Sequence, residues 1–141
     1  MVIAIGDTAE NIPDSWETED HLVDAFLRIR SPNIRDTRNE YLVLGRAPDA
    51  LELVCGELHS FEAKLKNWKK AVEQARDHQL VVDFAWILIP KAKPEWVRDT
   101  GIGLIDAGTF EILVWPEKAS PLCLQKKESL IQRYWTGNDG N

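Results

Sequence analysis

Three ionisable residues stand at a spacing that suits hydrolysis of a phosphodiester. Pro48-Asp49 is followed, thirteen residues after the Asp, by Glu62-Ala63-Lys64. A phosphodiester is anionic and hydrolyses slowly, so its cleavage calls for charge neutralisation by Mg²⁺, a hard cation held by carboxylate oxygens and waters. Asp49 and Glu62 supply carboxylates, and the Ala63 carbonyl offers one more oxygen. Lys64 adds a compact positive charge, suited to holding or helping deprotonate an attacking water and to offsetting charge that develops in the transition state.

The neighbouring sequence contains elements able to bring these groups together. Read with period two, His59, Phe61, Ala63 and Leu65 share one strand face, and Ser60, Glu62 and Lys64 share the other, which carries the ions. Upstream, Ala50 to Val54 reads as a second strand, and Cys55-Gly56-Glu57 has the length and the glycine of a hairpin loop. Such a hairpin returns the Glu62 to Lys64 end of one strand to the Asp49 end of the other. Asn67 then caps a helix running to about His78, with Trp68, Ala71, Gln74 and Ala75 on one side.

This ordered set resembles the PD-(D/E)xK nuclease superfamily, with Pro48-Asp49 and Glu62-Ala63-Lys64 at its two motif positions. Many members carry a Trp-x-x-Ala-x-x-Gln-Ala helix after the motif strand, matched here by Trp68, Ala71, Gln74 and Ala75. Val82 to Pro90 resembles the next core strand and Gly101 to Ile105 the one after, so the resemblance covers roughly residues 40 to 115. One position departs: the family often has a Tyr four residues after the Gln, where this chain has His78.

The resemblance implies an α/β, restriction-endonuclease-like three-layer sandwich with a central mixed sheet flanked by helices. It further implies a Mg²⁺-dependent endonuclease, with Mn²⁺ as substitute, acting on DNA rather than RNA because the resembling families mostly cut DNA. Several such nucleases use a Glu of the first helix as an additional metal ligand, a role that would fall to Glu19; the alternative is a first-turn acid favoured by the helix dipole. Gln74 either supports the active-site end of the sheet or a scissile phosphate, or is a boundary glutamine. Small members often dimerise, so a homodimer is an expectation by analogy.

The rest of the chain completes one domain over residues 1–135, with 136–141 as a flexible tail. Asp14 to Ile29 is predicted as the first helix, Tyr41 to Leu44 as a strand, and Leu80 to Ile89 as a strand apolar enough to be covered on both faces. Lys91 to Thr100 is expected as a loop, Ile102 to Asp106 and Phe110 to Trp115 as a hairpin, Leu122 to Leu124 as a short edge, and Glu128 to Trp135 as a terminal helix. Asp83 is either a support for the site or a strand-start acid bonded to a loop. Trp68, Trp86, Trp115 and Trp135 fall on apolar faces and read as core, whereas Trp16 and Trp96 stand near element ends, where packing competes with base stacking.

The 141 residues carry two cysteines without a Cys-x-x-Cys pair, so neither a disulfide framework nor a zinc site is indicated. No apolar run approaches membrane-spanning length, and the N-terminus lacks the basic start of a signal peptide, so a cytoplasmic protein is expected. A net charge of -6 runs against a nucleic-acid partner. Against that balance, Lys64, Lys66, Lys69 and Lys70 cluster by the candidate site, Arg46 precedes Asp49, and Lys91 and Lys93 follow the next strand. The rival reading is a nuclease-fold domain that no longer cuts and serves as a binding or assembly module; the acidic charge and His78 favour it, and the intact triad opposes it.

Overall fold

The computed structural model describes residues 16–30, 32–39 and 47–136. Its elements are α1 (Glu19–Ile29), β1 (Ile34–Asp36), β2 (Ala50–Val54), β3 (Glu57–Ala63), α2 (Trp68–His78), β4 (Phe84–Ile89), a 3-10 turn (Pro94–Val97), β5 (Gly103–Asp106), β6 (Ile112–Val114) and α3 (Leu124–Trp135). The strands form one six-stranded sheet in sequence order. β1, β2 and β3 pair antiparallel, β3, β4 and β5 pair parallel, and β6 returns antiparallel, so the sheet is mixed.

Three layers result. α1 lays Leu22, Val23, Ala25 and Phe26 on one sheet face, against Phe61, Trp86, Leu88 and Ile105. On the other face α2 and α3 bring Ala71, Ala75 and Leu130 onto Leu51, Leu58, Ala85, Ile87 and Leu104. Every residue from Ala85 to Ile89 is buried, as expected for a central parallel strand covered on both sides. Among the described residues no helix is long and apolar enough to cross a membrane.

Local chemistry explains the boundaries, several of which differ from the sequence expectation. The β2–β3 loop has two residues rather than three: Cys55 and Gly56 both take positive φ, 50° and 80°, and Glu57 already pairs with Val54. Two consecutive positive φ values are the mark of the turn whose twist matches a hairpin, and Gly56 adopts its value without the clash a Cβ brings. The first helix begins at Glu19, not Asp14, because the Thr18 side chain accepts from the His21 N–H, and Glu19 and Asp20 then complement the helix dipole. α2 begins as expected after Asn67, whose side chain accepts the Lys70 N–H.

β4 starts at Phe84 rather than Leu80. The N–H groups of Val81 and Val82 both donate to His78 O, which closes α2 before the chain extends. Asp83 has the structural role: its Oδ2 accepts the Leu58 N–H at 2.8 Å, and Lys127 of α3 pairs with it at 2.8 Å. Leu122 to Leu124 forms no strand, and Leu124 instead opens a terminal helix one turn longer than expected. Trp115 is 54% exposed rather than core, whereas Trp16 is buried and donates its Nε1–H to Ala107 O at 2.9 Å. β1 has no counterpart among the strands expected from the sequence; the expected strand Tyr41 to Leu44, Arg46 and tail residues 137–141 lie outside the described residues.

Candidate functional site

The two-residue hairpin loop sets the register that assembles the site. Val54 faces Glu57 and Ala50 faces Phe61, so the chain just before β2 lies beside the end of β3. Two hydrogen bonds tie Asp49 to β3: its N–H donates to Phe61 O at 3.0 Å, one residue out of the Ala50–Phe61 register, and its Oδ2 accepts the Ala63 N–H at 2.8 Å. Pro48-Asp49 is also tied to the segment after β1, since the buried Thr37 hydroxyl donates to Pro48 O at 2.7 Å and the Thr37 N–H to Asp49 O at 3.1 Å. The two halves of the motif therefore meet through the backbone at one end of the sheet.

Helix α1 reaches the same end. Glu19 Oε2 accepts the Leu65 N–H at 3.2 Å, and Glu19 Oε1 lies 4.0 Å from Lys64 Nζ. The lysine is held from its backbone as well, its N–H donating to Leu88 O of β4 at 3.0 Å. Glu19, Asp49, Ala63 and Lys64 are thus linked by α1, the residue before β2, the end of β3 and the end of β4, with Glu62 next to Ala63 on β3.

Glu62, which the alternation puts on the ion-bearing face, lies in the interior. It is 2% exposed, because β3 is central and its Ser60 and Glu62 side lies beneath α2. From α2, Gln74 and His78 are buried on the helix side that also carries Ala71 and Ala75. Ser60, Glu62, Gln74 and His78 make up a buried polar seam between strand and helix. Alternation already places Ser60 on the Glu62 face in the sequence and Gln74 is a site candidate there, whereas His78 stands there only as a departure from the family pattern. His78 stands one helical turn after Gln74, a spacing that could have added it.

A second polar group lies on the α1 face, away from the motif. Arg30 and Glu52 form an ion pair with side chains 4% and 1% exposed, and the Arg30 guanidinium lies over the Phe26 and Phe61 rings. Glu52 pairs across the strands with His59, which accepts the Trp86 Nε1–H on Nδ1 at 3.0 Å. Burial pushes the His59 imidazole below its ordinary range, with Glu52 opposing and Arg30 reinforcing that shift. Nearer the surface, the Arg38 guanidinium holds the Asp36 carboxyl below the usual carboxylate range and also pairs with Asp20 and Asp24, clamping α1 to β1.

Asp49 and Glu62 carry carboxylates and the Ala63 carbonyl follows Glu62 along the strand, donors of the type a hard cation takes. Among the described residues, no three His, Cys, Asp or Glu side chains stand close enough to hold a metal together. Glu19 is instead disposed towards Lys64 and the Leu65 N–H.

No protein-family model matches the sequence, and no curated protein is similar to it. Among solved structures, a protein of unknown function from Silicibacter pomeroyi is similar, with a TM-score of 0.49 and 20% identity over 66% of this chain and 66% of that one. The match spans just under two thirds of that protein's length.

Proposed function

We propose that this chain is a metal-dependent nuclease of the restriction-endonuclease-like kind, hydrolysing phosphodiester bonds of nucleic acid, with DNA as the first substrate to test. The observation that carries this reading is the Ala63 N–H on Asp49 Oδ2 at 2.8 Å, which joins the Pro-Asp and Glu-x-Lys segments at one sheet end beside the Glu19–Lys64 pair. Asp49, Glu62 and the Ala63 carbonyl are the groups that would hold Mg²⁺. Bound there, the ion supplies charge neutralisation and a more acidic water.

The remaining work falls to the chain. Lys64 positions the attacking water and carries positive charge next to the scissile phosphate. Glu19 orients the Lys64 ammonium and pins the Leu65 backbone, which makes it a positioning residue with metal ligation as its alternative role. Gln74 braces the strand that bears Glu62 from the helix side.

One observation favours the rival reading, a silent binding module: Glu62 is 2% exposed. Ligation by Glu62 requires metal or solvent to reach the seam under α2, whereas a module that only binds does not require it.

The test is incubation with supercoiled plasmid, linear duplex, single-stranded DNA, branched DNA and RNA in Mg²⁺ and in Mn²⁺, with Lys64→Ala and Asp49→Asn in parallel. A positioned proton-transfer group contributes about 10²- to 10⁴-fold, so Lys64→Ala should lose at least about 10²-fold in rate. Intact substrates throughout, or equal cutting by parent and Lys64→Ala, would reject the catalytic assignment and leave the binding module.

A further inference from the structure

Beside the candidate site the fold joins two segments that are separate in sequence. β3 and β4 run parallel with Ala63 opposite Leu88, so residues 64–70 and 91–99 leave the sheet at the same end. They meet through an aromatic pair: the rings of Trp68, the first residue of α2, and Trp96, in the 3-10 turn, stack with centroids 5.2 Å apart and planes within 1°. Lys69 Nζ stands over the Trp68 ring at 5.7 Å.

The charge balance of this face is opposite to that of the chain. The two segments hold seven basic side chains, Lys64, Lys66, Lys69, Lys70, Lys91, Lys93 and Arg98, against the two acids Glu95 and Asp99, in a chain whose net charge is -6. Lys64 is paired with Glu19, but the other six cations enter none of the ion pairs among the described residues. Elsewhere Arg30, Arg38, Lys118 and Lys127 are each matched to an acid. All six unmatched cations are exposed. Lys91 and Asp99 bracket the second segment with left-handed backbone at φ 54° and 62°, conformations that non-glycine residues rarely adopt.

Uncompensated cations set around indole rings are the combination that binds single-stranded nucleic acid, with phosphates tracked by charge and unpaired bases stacked on aromatic faces. A duplex keeps its bases inside its own stack and has no use for the indoles. We propose that the face built from residues 64–70 and 91–99 seats a single-stranded stretch of nucleic acid and delivers it to the Asp49, Glu62 and Lys64 end of the sheet. This rests on the nuclease reading for the kind of ligand and specifies which form of it enters.

Binding can be measured apart from cleavage. Fluorescence anisotropy of a labelled 20-nucleotide single strand and of the same sequence as duplex, in EDTA, would be recorded for the parent, Lys66→Glu/Lys93→Glu, Trp96→Ala and Trp96→Phe. Arg76→Glu, a change of the same kind on an exposed residue in the last turn of α2, is the control. The single strand should bind at least tenfold tighter than the duplex. The double charge reversal should weaken it tenfold or more and flatten the salt dependence by about 1.4 in the slope of log K against log salt, from about 0.7 for each phosphate that is no longer neutralised. Trp96→Ala should lose about tenfold, Trp96→Phe should retain most of the affinity, and Arg76→Glu should bind like the parent. Equal or tighter duplex binding, or charge variants that bind like the parent, would overturn the proposal. Because the exposed lysines lie outside the core, either result is decisive even if Trp96→Ala misfolds. Tight single-strand binding without any cleavage would sink the nuclease reading and leave this face standing; cleavage by a protein that prefers duplex would do the reverse.

Discussion

Gly103→Ala tests the packing that seats β4 against β5. A Cβ at Gly103 would lie 2.6 Å from Trp86 Cε3, 2.9 Å from Trp86 Cδ2 and 3.0 Å from Pro116 Cδ. Carbon atoms in good contact stand about 3.5–4.0 Å apart, so the indole would have to retreat by about 1 Å. It has nowhere to go: Trp86 is 1% exposed, stacks on Phe61 at 5.9 Å, donates to His59 Nδ1 and meets the Trp115 edge at 5.8 Å. Overpacking of a well-filled core costs about 1–3 kcal/mol, and a ring confined on this many sides belongs near 3. For a chain of this length that lowers Tm by about 10 °C, at roughly 3–4 °C per kcal/mol. Urea unfolding and a thermal scan would measure it, alongside the same substitution in a Trp86→Leu background. There the obstructing ring is gone, and the cost should fall below about 1 kcal/mol through coupling of contacting residues. A loss within about 0.5 kcal/mol for the single variant, the ordinary range for a surface change, would mean that Trp86 does not cross β5 at Gly103.

Two further outcomes follow from the buried polar group on the α1 face. Glu52→Gln removes one partner of an ion pair whose side chains are 4% and 1% exposed, and should cost about 3–5 kcal/mol in urea unfolding, whereas Arg30→Met/Glu52→Leu, which removes both charges, should be within about 1 kcal/mol of the parent or more stable. His59 is held below its ordinary pKa of 6.5 chiefly by burial, so the unfolded chain takes up its proton at a pH where the folded one does not. Stability should therefore be complete above the unfolded value and decline as pH falls from about 6.5 towards the lower folded value, a dependence that thermal scans from pH 7.5 to 5 would show and that His59→Gln should flatten. Stability that rises on acidification through that window would contradict a buried neutral imidazole accepting from Trp86.

What can be read locally from the sequence is what depends on short-range rules. Cys55-Gly56 announces a hairpin, which returns the Glu62 to Lys64 end of β3 to the Asp49 end of β2, although the loop holds two residues rather than the three expected and the register shifts with it. Asn67 marks the start of α2 for an equally local reason, an acceptor for one of the first free N–H groups. Expectation and structure part where local signals compete. Asp14, Ser15 and Thr18 are all residues fit to cap, and only the Thr18 bond to the His21 N–H selects among them. The apolar residues Leu80 to Val82 satisfy a strand pattern, yet their N–H groups are spent on closing a helix.

The burial of Glu62 is a different matter, because alternation along β3 says which residues share a face and nothing about what covers it. The Ser60 and Glu62 side becomes interior only once β4 has paired on one side of β3, β2 on the other, and α2 has folded down over both. The same packing brings Trp68 onto Trp96 and so makes one surface of two lysine-bearing segments. A carboxylate drawn into the interior and a set of unmatched cations at its edge are therefore two results of one event, the docking of α2 and the loop after β4 at the end of the parallel strands. In the sequence the lysines stand as two separate groups, and nothing along β3 says that Glu62 is covered. Charge totals mislead for the same reason: the acids that make the chain negative are in part paired with Arg30, Arg38 and Lys127, while the six exposed cations of residues 66–70 and 91–98 enter none of the ion pairs among the described residues.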